Sequence, residues 1–157
     1  MQKIWSGTIN GKKIEKSIEQ SMTLLHFLRD ELSLLGTKVG CESGDCGACA
    51  VIIDKKLFNS CITPAFAVAG CEITTIEGLS ENGQLHPIQK ALLDTGSFQC
   101  GYCMPGMCMA LKCAMDAAEH NLTEEEIREA ISGNLCRCGS YSLVVEAISL
   151  LQEVKKS

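Results

Sequence analysis

Short apolar runs with strand-like spacing fill the first half of the chain, and apolar positions at helical spacing take over in the second. Lys3 to Ile9 and Lys13 to Ile18 predict two strands joined by Asn10–Gly11, a dipeptide suited to a tight hairpin turn. Leu24, Leu28 and Leu32 recur every four residues and predict a helix of roughly three turns, with Gly36 as its left-handed stop. Ala50 to Ile53 and Leu57 to Asn59 predict a second pair of strands turning at Asp54–Lys55–Lys56, and Glu72 to Ile76 a further β-branched strand. These elements make a small α+β unit.

From Glu77 to Leu85 the chain is polar and carries Gly78, Ser80, Asn82 and Gly83, and the strand pattern does not return. Two domains are therefore expected, residues 1–77 and 86–157, joined by a linker at 78–85. In the second, Pro87 opens a helix and Gly96 closes it, and Met107 to His120 is rich in helix formers. Thr123–Glu124–Glu125–Glu126 has the form of a capping box, leading to a helix stopped at Gly133. Val144, Ala147, Ile148, Leu151 and Val154 form the stripe of a last helix, so an all-α four-helix domain is expected.

A length of 157 residues allows one core or two small ones. The net charge of −5, with both signs spread along the chain, leaves no basic stripe for nucleic acid. No apolar run approaches the roughly eighteen residues needed to cross a bilayer, and Met1 to Asn10 lacks the regions of a signal peptide. The expected location is cytoplasmic, with neither nucleic acid nor membrane as partner. Eleven cysteines change the picture, because in such a compartment they favour metal chemistry over a disulfide framework.

The first cysteine group is Cys41-x4-Cys46-x2-Cys49, with Cys61 after eleven further residues. This is the plant-type [2Fe–2S] spacing, and it differs from the paired spacing of structural zinc sites. Three thiolates converging from one loop require unusual backbone freedom, which Gly40, Gly44 and Gly47 supply. Such loops also aim N–H groups at an anionic cluster. The second group pairs Cys100-x2-Cys103 with Cys136-x-Cys138 across thirty-two residues. On spacing alone it leaves zinc, [2Fe–2S] and [4Fe–4S] open.

Around these cysteines, Gly36–Thr37–Lys38–Val39–Gly40–Cys41, Cys46–Gly47–Ala48–Cys49, Thr75–Ile76–Glu77–Gly78–Leu79, Phe98–Gln99–Cys100–Gly101–Tyr102–Cys103–Met104–Pro105–Gly106 and Gly133–Asn134–Leu135–Cys136–Arg137–Cys138 resemble the iron–sulfur subunits of the xanthine dehydrogenase, or molybdenum hydroxylase, family. The resemblance runs over nearly the whole chain. It implies a β-grasp, plant-type ferredoxin-like domain followed by a four-helix domain, each with one [2Fe–2S] cluster. The implied ligands are Cys41, Cys46, Cys49 and Cys61 for the first, and Cys100, Cys103, Cys136 and Cys138 for the second. Gln99 and Cys138 match positions that approach the pterin of a molybdenum cofactor. That cofactor and FAD are implied on partner subunits, a large molybdenum-binding chain and a medium flavin-binding chain. One departure is visible: the family commonly has Thr–Gly–Tyr or Gly–Gly–Tyr after the last ligand, and this chain has Gly139–Ser140–Tyr141.

The remaining candidates read more plainly. Cys71, Cys108 and Cys113 fall outside both sets and are expected in the core. His26, His86 and His120 are isolated in sequence and expected to pack, cap or face solvent. Met104, Met107, Met109 and Met115 fit helix packing, and Glu124 to Glu126 a solvated first turn. No nucleotide-binding glycine fingerprint and no catalytic base in a pocket motif are present. The expected role is electron transfer from a partner's molybdopterin site to a partner's FAD during hydroxylation of an N-heterocycle, nicotinate- or xanthine-like, or oxidation of an aldehyde. A free-standing two-cluster ferredoxin and a zinc-binding structural module are the rival readings.

Overall fold

The computed structural model describes residues 1–154, so the last three residues of the expected second domain lie outside the described residues. Strands β1 (Gln2–Ile9) and β2 (Lys12–Glu19) pair antiparallel through the turn Asn10–Gly11, where both residues have positive φ. That is the turn whose twist matches the twist of the strands. β3 (Ala50–Ile53) and β4 (Lys56–Asn59) make a second hairpin through Asp54 and Lys55, also at positive φ. β5 (Glu72–Thr74) lies between the hairpins, parallel to β1 and antiparallel to β3, giving a five-stranded mixed sheet in the order β2-β1-β5-β3-β4.

Among the described residues five α-helices accompany the sheet: α1 (Leu24–His26) in the first half, then α2 (Pro87–Asp94), α3 (Met104–Ala117), α4 (Glu124–Ala130) and α5 (Tyr141–Val154). The molecule is therefore α+β. The single long helix expected from Leu24 is shorter and looser than its leucine spacing suggests. After α1 the chain widens into a π-helical turn at Phe27–Glu31, and the left-handed residue is Ser33 rather than Gly36. Gly36 is instead required by close packing, because a Cβ there would meet the Glu77 carboxylate at 2.8 Å. Likewise Gly133 has no positive φ after α4, and Val154 is exposed rather than part of the buried stripe. α3 begins at Met104, three residues before the expected Met107, with Pro105 accommodated in its first turn.

The pleat of β3 sends its side chains into two cores. Val51 and Ile53 join Trp5, Ile9, Ile18, Phe27, Leu28 and Ile73 on one face of the sheet. Trp5 is fully buried, meets the Phe27 ring in a tilted contact with centroids 4.7 Å apart and donates its indole N–H to Ala65 O at 2.8 Å. Burying its roughly 150–250 Å² contributes about 4–6 kcal/mol as an upper figure. Ala50 and Ile52 point the other way and pack with Met107, Cys108, Leu111, Ile127 and Val144 among the helices. The two halves thus share a core through one strand.

The helix starts follow their capping residues. Thr123 and Glu126 satisfy each other's backbone N–H groups at α4, and His86 with Gln89 does the same at α2, each cap contributing on the order of 1 kcal/mol. The other histidines are hydrogen-bonded to carboxylates rather than isolated. His26 bridges Asp30 at 2.9 Å and Glu42 at 3.2 Å, and His120 meets Glu126 at 3.1 Å.

Candidate iron–sulfur sites

The loop that carries Cys41, Cys46 and Cys49 runs between the π-helical turn and β3 and is anchored before it begins. Arg29 donates to Leu35 O and Thr37 O at 3.0 and 2.8 Å. The Glu77 carboxylate accepts the Gly36 N–H at 2.7 Å and the Thr75 hydroxyl at 2.6 Å. Within the loop the Cys41 sulfur accepts N–H groups from Ser43, Asp45 and Cys46 at 3.3–3.4 Å, and the Cys46 sulfur accepts the Cys41 N–H at 3.3 Å. The Ser43 hydroxyl, and then these N–H groups, hold the Cys41 thiol down to about 6. Such a nest of donors suits an anionic group at sulfur.

Cys61 enters from the turn after β4 and is buried beside Cys49, Leu25 and Val39. Burial first, then the neighbouring Cys49, pushes its thiol up to about 11. The loop leaves no room for larger residues. A Cβ on Gly40 would fall well inside 3.0 Å of the Cys46 sulfur, and Gly47 combines positive φ with a Cβ position 2.6 Å from Asn134 Nδ2.

The second site lies where the turn before α3 meets the turn before α5. The Cys138 and Cys100 sulfurs are 3.6 Å apart, and Cys103 is hydrogen-bonded to Cys136. Burial pushes Cys103 up to about 12, whereas the Tyr102 N–H, then Cys138, lowers Cys100. Burial works against ionisation of Cys136, but the Ser140 N–H, Cys103 and the Cys138 N–H outweigh it and lower the thiol. Sulfur contacts pair Cys41 with Cys46 and Cys49 with Cys61 in the first group, and Cys100 with Cys138 and Cys103 with Cys136 in the second, while among the described residues no three of these side chains are gathered tightly enough for a single metal ion. Such a donor set fits a thiolate-bound iron–sulfur cluster.

The Gly139–Ser140–Tyr141 departure keeps the turn closed. Gly139 has positive φ, the Ser140 N–H reaches the Cys136 sulfur at 3.5 Å, and the Tyr141 hydroxyl donates to Asn134 O at 3.0 Å while accepting the Cys136 N–H at 2.7 Å. Of the three other cysteines only Cys108 is in the core, its thiol pushed up to about 12 by burial. Cys71 and Cys113 are partly buried and pack at the edges of the two cores, Cys71 at a strand entry beside Asp54 and Cys113 at the rim of a groove with Lys55 and Lys112. Gln99 and Cys100 are exposed and Cys138 partly so. Two open grooves of about 640 and 680 Å³ flank the sheet, and neither is lined by any of the eight cysteines.

Residues 7–70 match the 2Fe-2S iron-sulfur cluster binding domain family, and residues 75–149 match the [2Fe-2S] binding domain family. One of the subunits of nicotinate dehydrogenase from Pseudomonas putida is 42% identical over 156 residues, covering 99% of both chains. This chain is an iron–sulfur subunit of the xanthine dehydrogenase, or molybdenum hydroxylase, family. The iron–sulfur-binding subunit of Escherichia coli K12 aldehyde oxidoreductase is 42% identical, covering 89% of this chain and 67% of that one. The quinoline 2-oxidoreductase of Pseudomonas putida 86 superposes with a TM-score of 0.92 at 38% identity, covering 99% of this chain and 96% of its counterpart. The family match thus extends across both cysteine groups.

Asn134, Tyr102, Tyr141 and Glu77 stand beside the cysteines or in the motifs around them, yet spacing alone assigns them no role. Asn134, Tyr102 and Glu77 reach partners 87, 63 and 41 residues away along the chain, separations that local patterns do not encode, while Tyr141 bonds groups five and seven residues away.

Proposed function

We propose that this chain passes electrons one at a time from a molybdopterin site on a large partner subunit to FAD on a medium partner subunit. Cys41, Cys46, Cys49 and Cys61 hold one [2Fe–2S] cluster, and Cys100, Cys103, Cys136 and Cys138 hold the other. Each cluster, when bound, supplies a one-electron carrier whose potential is set by burial and N–H···S contacts. The observation that carries this reading is that the sulfur contacts fall into two separate groups, Cys41–Cys46 with Cys49–Cys61 and Cys100–Cys138 with Cys103–Cys136, each inside one of the two matched [2Fe–2S]-binding domains.

In finer detail we read residues 1–77 as a β-grasp ferredoxin-like domain, 78–85 as a linker and 86–157 as a four-helix [2Fe–2S]-binding domain. The sheet order and the four helices of the second half support this division. The shared packing of β3 makes the two domains mechanically one unit. Gln99 and Cys138 face the pterin in this reading. Gln99 is exposed, and no hydrogen bond to its amide occurs among the described residues, so its donor and acceptor are both free for a partner.

The substrate class we assign to the complex is an N-heterocycle. Two of these three relatives are named for nicotinate and quinoline, the third for aldehydes. No helix among the described residues is long and apolar enough to cross a membrane. A thiol-rich chain of this kind suits the reducing cytoplasm.

The test is isolation of the chain from its native source with metal and flavin analysis. Copurification with larger chains carrying molybdenum and FAD, at four irons per copy of this chain, is the expected result. A brown chain isolated alone with four irons points to a free-standing ferredoxin, and a colourless zinc protein to a structural module.

A further inference from the structure

The two cysteine sites meet at a joint where one direct backbone hydrogen bond is framed by side-chain bonds. The Leu135 N–H donates to Cys46 O at 2.9 Å, so a residue of the first site and the neighbour of Cys136 share one hydrogen bond. Neither group of that bond belongs to a side chain. Something else must hold the two backbones at that spacing.

Asn134 occupies the required place. Its side chain is buried, 3% exposed, and Nδ2 donates to Gly47 O at 3.0 Å, one residue beyond Cys46. Its own carbonyl accepts the Tyr141 hydroxyl, which in turn accepts the Cys136 N–H. A single residue is therefore bonded to the first loop by its side chain and to the second by its main chain. The approach is close: Gly106 on α3 and Gly47 both lack the Cβ that would strike this joint. A third bond, from the Tyr102 hydroxyl to Val39 O at 2.5 Å, ties the loop of Cys100 and Cys103 to the chain entering Cys41.

We propose that Asn134 is a positioning residue for electron transfer between the two clusters, the latch that fixes the Cys46 and Cys136 loops at one separation. The inference rests on the assignment of two [2Fe–2S] clusters to this chain. The step it serves oxidises one cluster by one electron and reduces the other by one. No bond forms or breaks, and the protein need only hold the distance. Gly47 O also accepts the Ala50 N–H at 3.1 Å, so removing the Asn134 donor leaves that carbonyl bonded within its own loop but breaks its side-chain tie to the second loop.

The experiment uses the full chain with both clusters assembled and fully reduced, and reads the magnetic splitting between the two paramagnetic centres by low-temperature EPR. Asn134→Asp keeps the shape of the side chain and loses its donor; Asn134→Ser is too short to reach Gly47 O. The expected result is four irons per chain and both individual signals, with the splitting reduced or lost. A purely structural residue would not change the splitting at full iron content. Unchanged splitting in a variant with four irons overturns the inference, as does failure of both variants to hold four irons. An unaltered chain without two [2Fe–2S] centres would overturn the functional reading itself, a result distinct from either.

Discussion

Replacing Gly106 by alanine tests the joint by force rather than by removal of a bond. The new methyl would stand well under 3.0 Å from Gly47 O and 2.9 Å from Asn134 Nδ2. The first neighbour is backbone and cannot rotate away, so α3 and the first cysteine loop must separate. Overpacking of this kind costs about 1–3 kcal/mol. The separation also strips Gly47 O of its Asn134 donor, a further loss of about 0.5–1.5 kcal/mol, because that carbonyl still accepts the Ala50 N–H. Alanine in a helix returns at most about 1 kcal/mol relative to glycine. The net expectation is a destabilisation of about 0.5–4.5 kcal/mol, centred near 2. For a chain of this size that central value lowers the thermal midpoint by roughly 4–8 °C. The assay is thermal unfolding of the cluster-loaded chain by circular dichroism, with Gly133→Ala as control because a Cβ there meets nothing within 4 Å. A Gly106→Ala midpoint equal to or above that of the unaltered chain would refute the close approach, since only the helix-propensity gain would then be operating.

Cys103→Ser should halve the iron content and spare the plant-type EPR signal, whereas Cys108→Ala, also buried but outside both sites, should keep all the iron; iron assay and EPR separate them. Ile52→Ala trims the larger of the two β3 side chains that pack on the helices and leaves Ala50 in place, a loss of about 2–5 kcal/mol, and urea unfolding should still show one transition shared by both halves. In the metal-free chain, iodoacetamide at neutral pH should alkylate Cys41 ahead of Cys61, Cys103 and Cys108, because its thiol ionises near 6 and theirs near 11 or 12. Cys41 labelling should fall as the pH drops below about 6, and mass spectrometry of the labelled peptides reads the order. Gln99→Ala should leave both clusters assembled and slow turnover with an artificial acceptor or lower molybdenum retention; normal turnover with full molybdenum would remove Gln99 from the site.

Local signals are legible where one segment determines its own geometry. Asn10–Gly11 marks a hairpin, Thr123 to Glu126 a helix start, and the cysteine spacing a loop with converging sulfurs. The leucine period from Leu24 marks the buried positions, since Leu24, Leu28 and Leu32 all pack on the sheet, but it misstates the helix, which widens into a π-helical turn at Phe27–Glu31. Gly36 and Gly133 look like helix stops, but Gly36 is fixed by the distant Glu77 and Gly133 sits beside the first cysteine loop. Cysteine usually packs in cores, and Cys71 and Cys113 do so only at the core edges, which their spacing in the sequence does not reveal. The joint built from Asn134, Gly47 and Gly106 is invisible in sequence for the same reason, since it joins residues far apart along the chain. Local chemistry can be read along the chain, and long-range contacts require the fold.

Stepwise reduction of the intact chain, followed by EPR at each stage and by iron and sulfide analysis, tests the two-cluster assignment most directly. The sites differ in burial and in the donors facing their sulfurs, so two distinct [2Fe–2S] signals should appear at different potentials, with four irons and four sulfides per chain. A single signal at two irons per chain, or zinc at either cysteine set, would contradict that assignment.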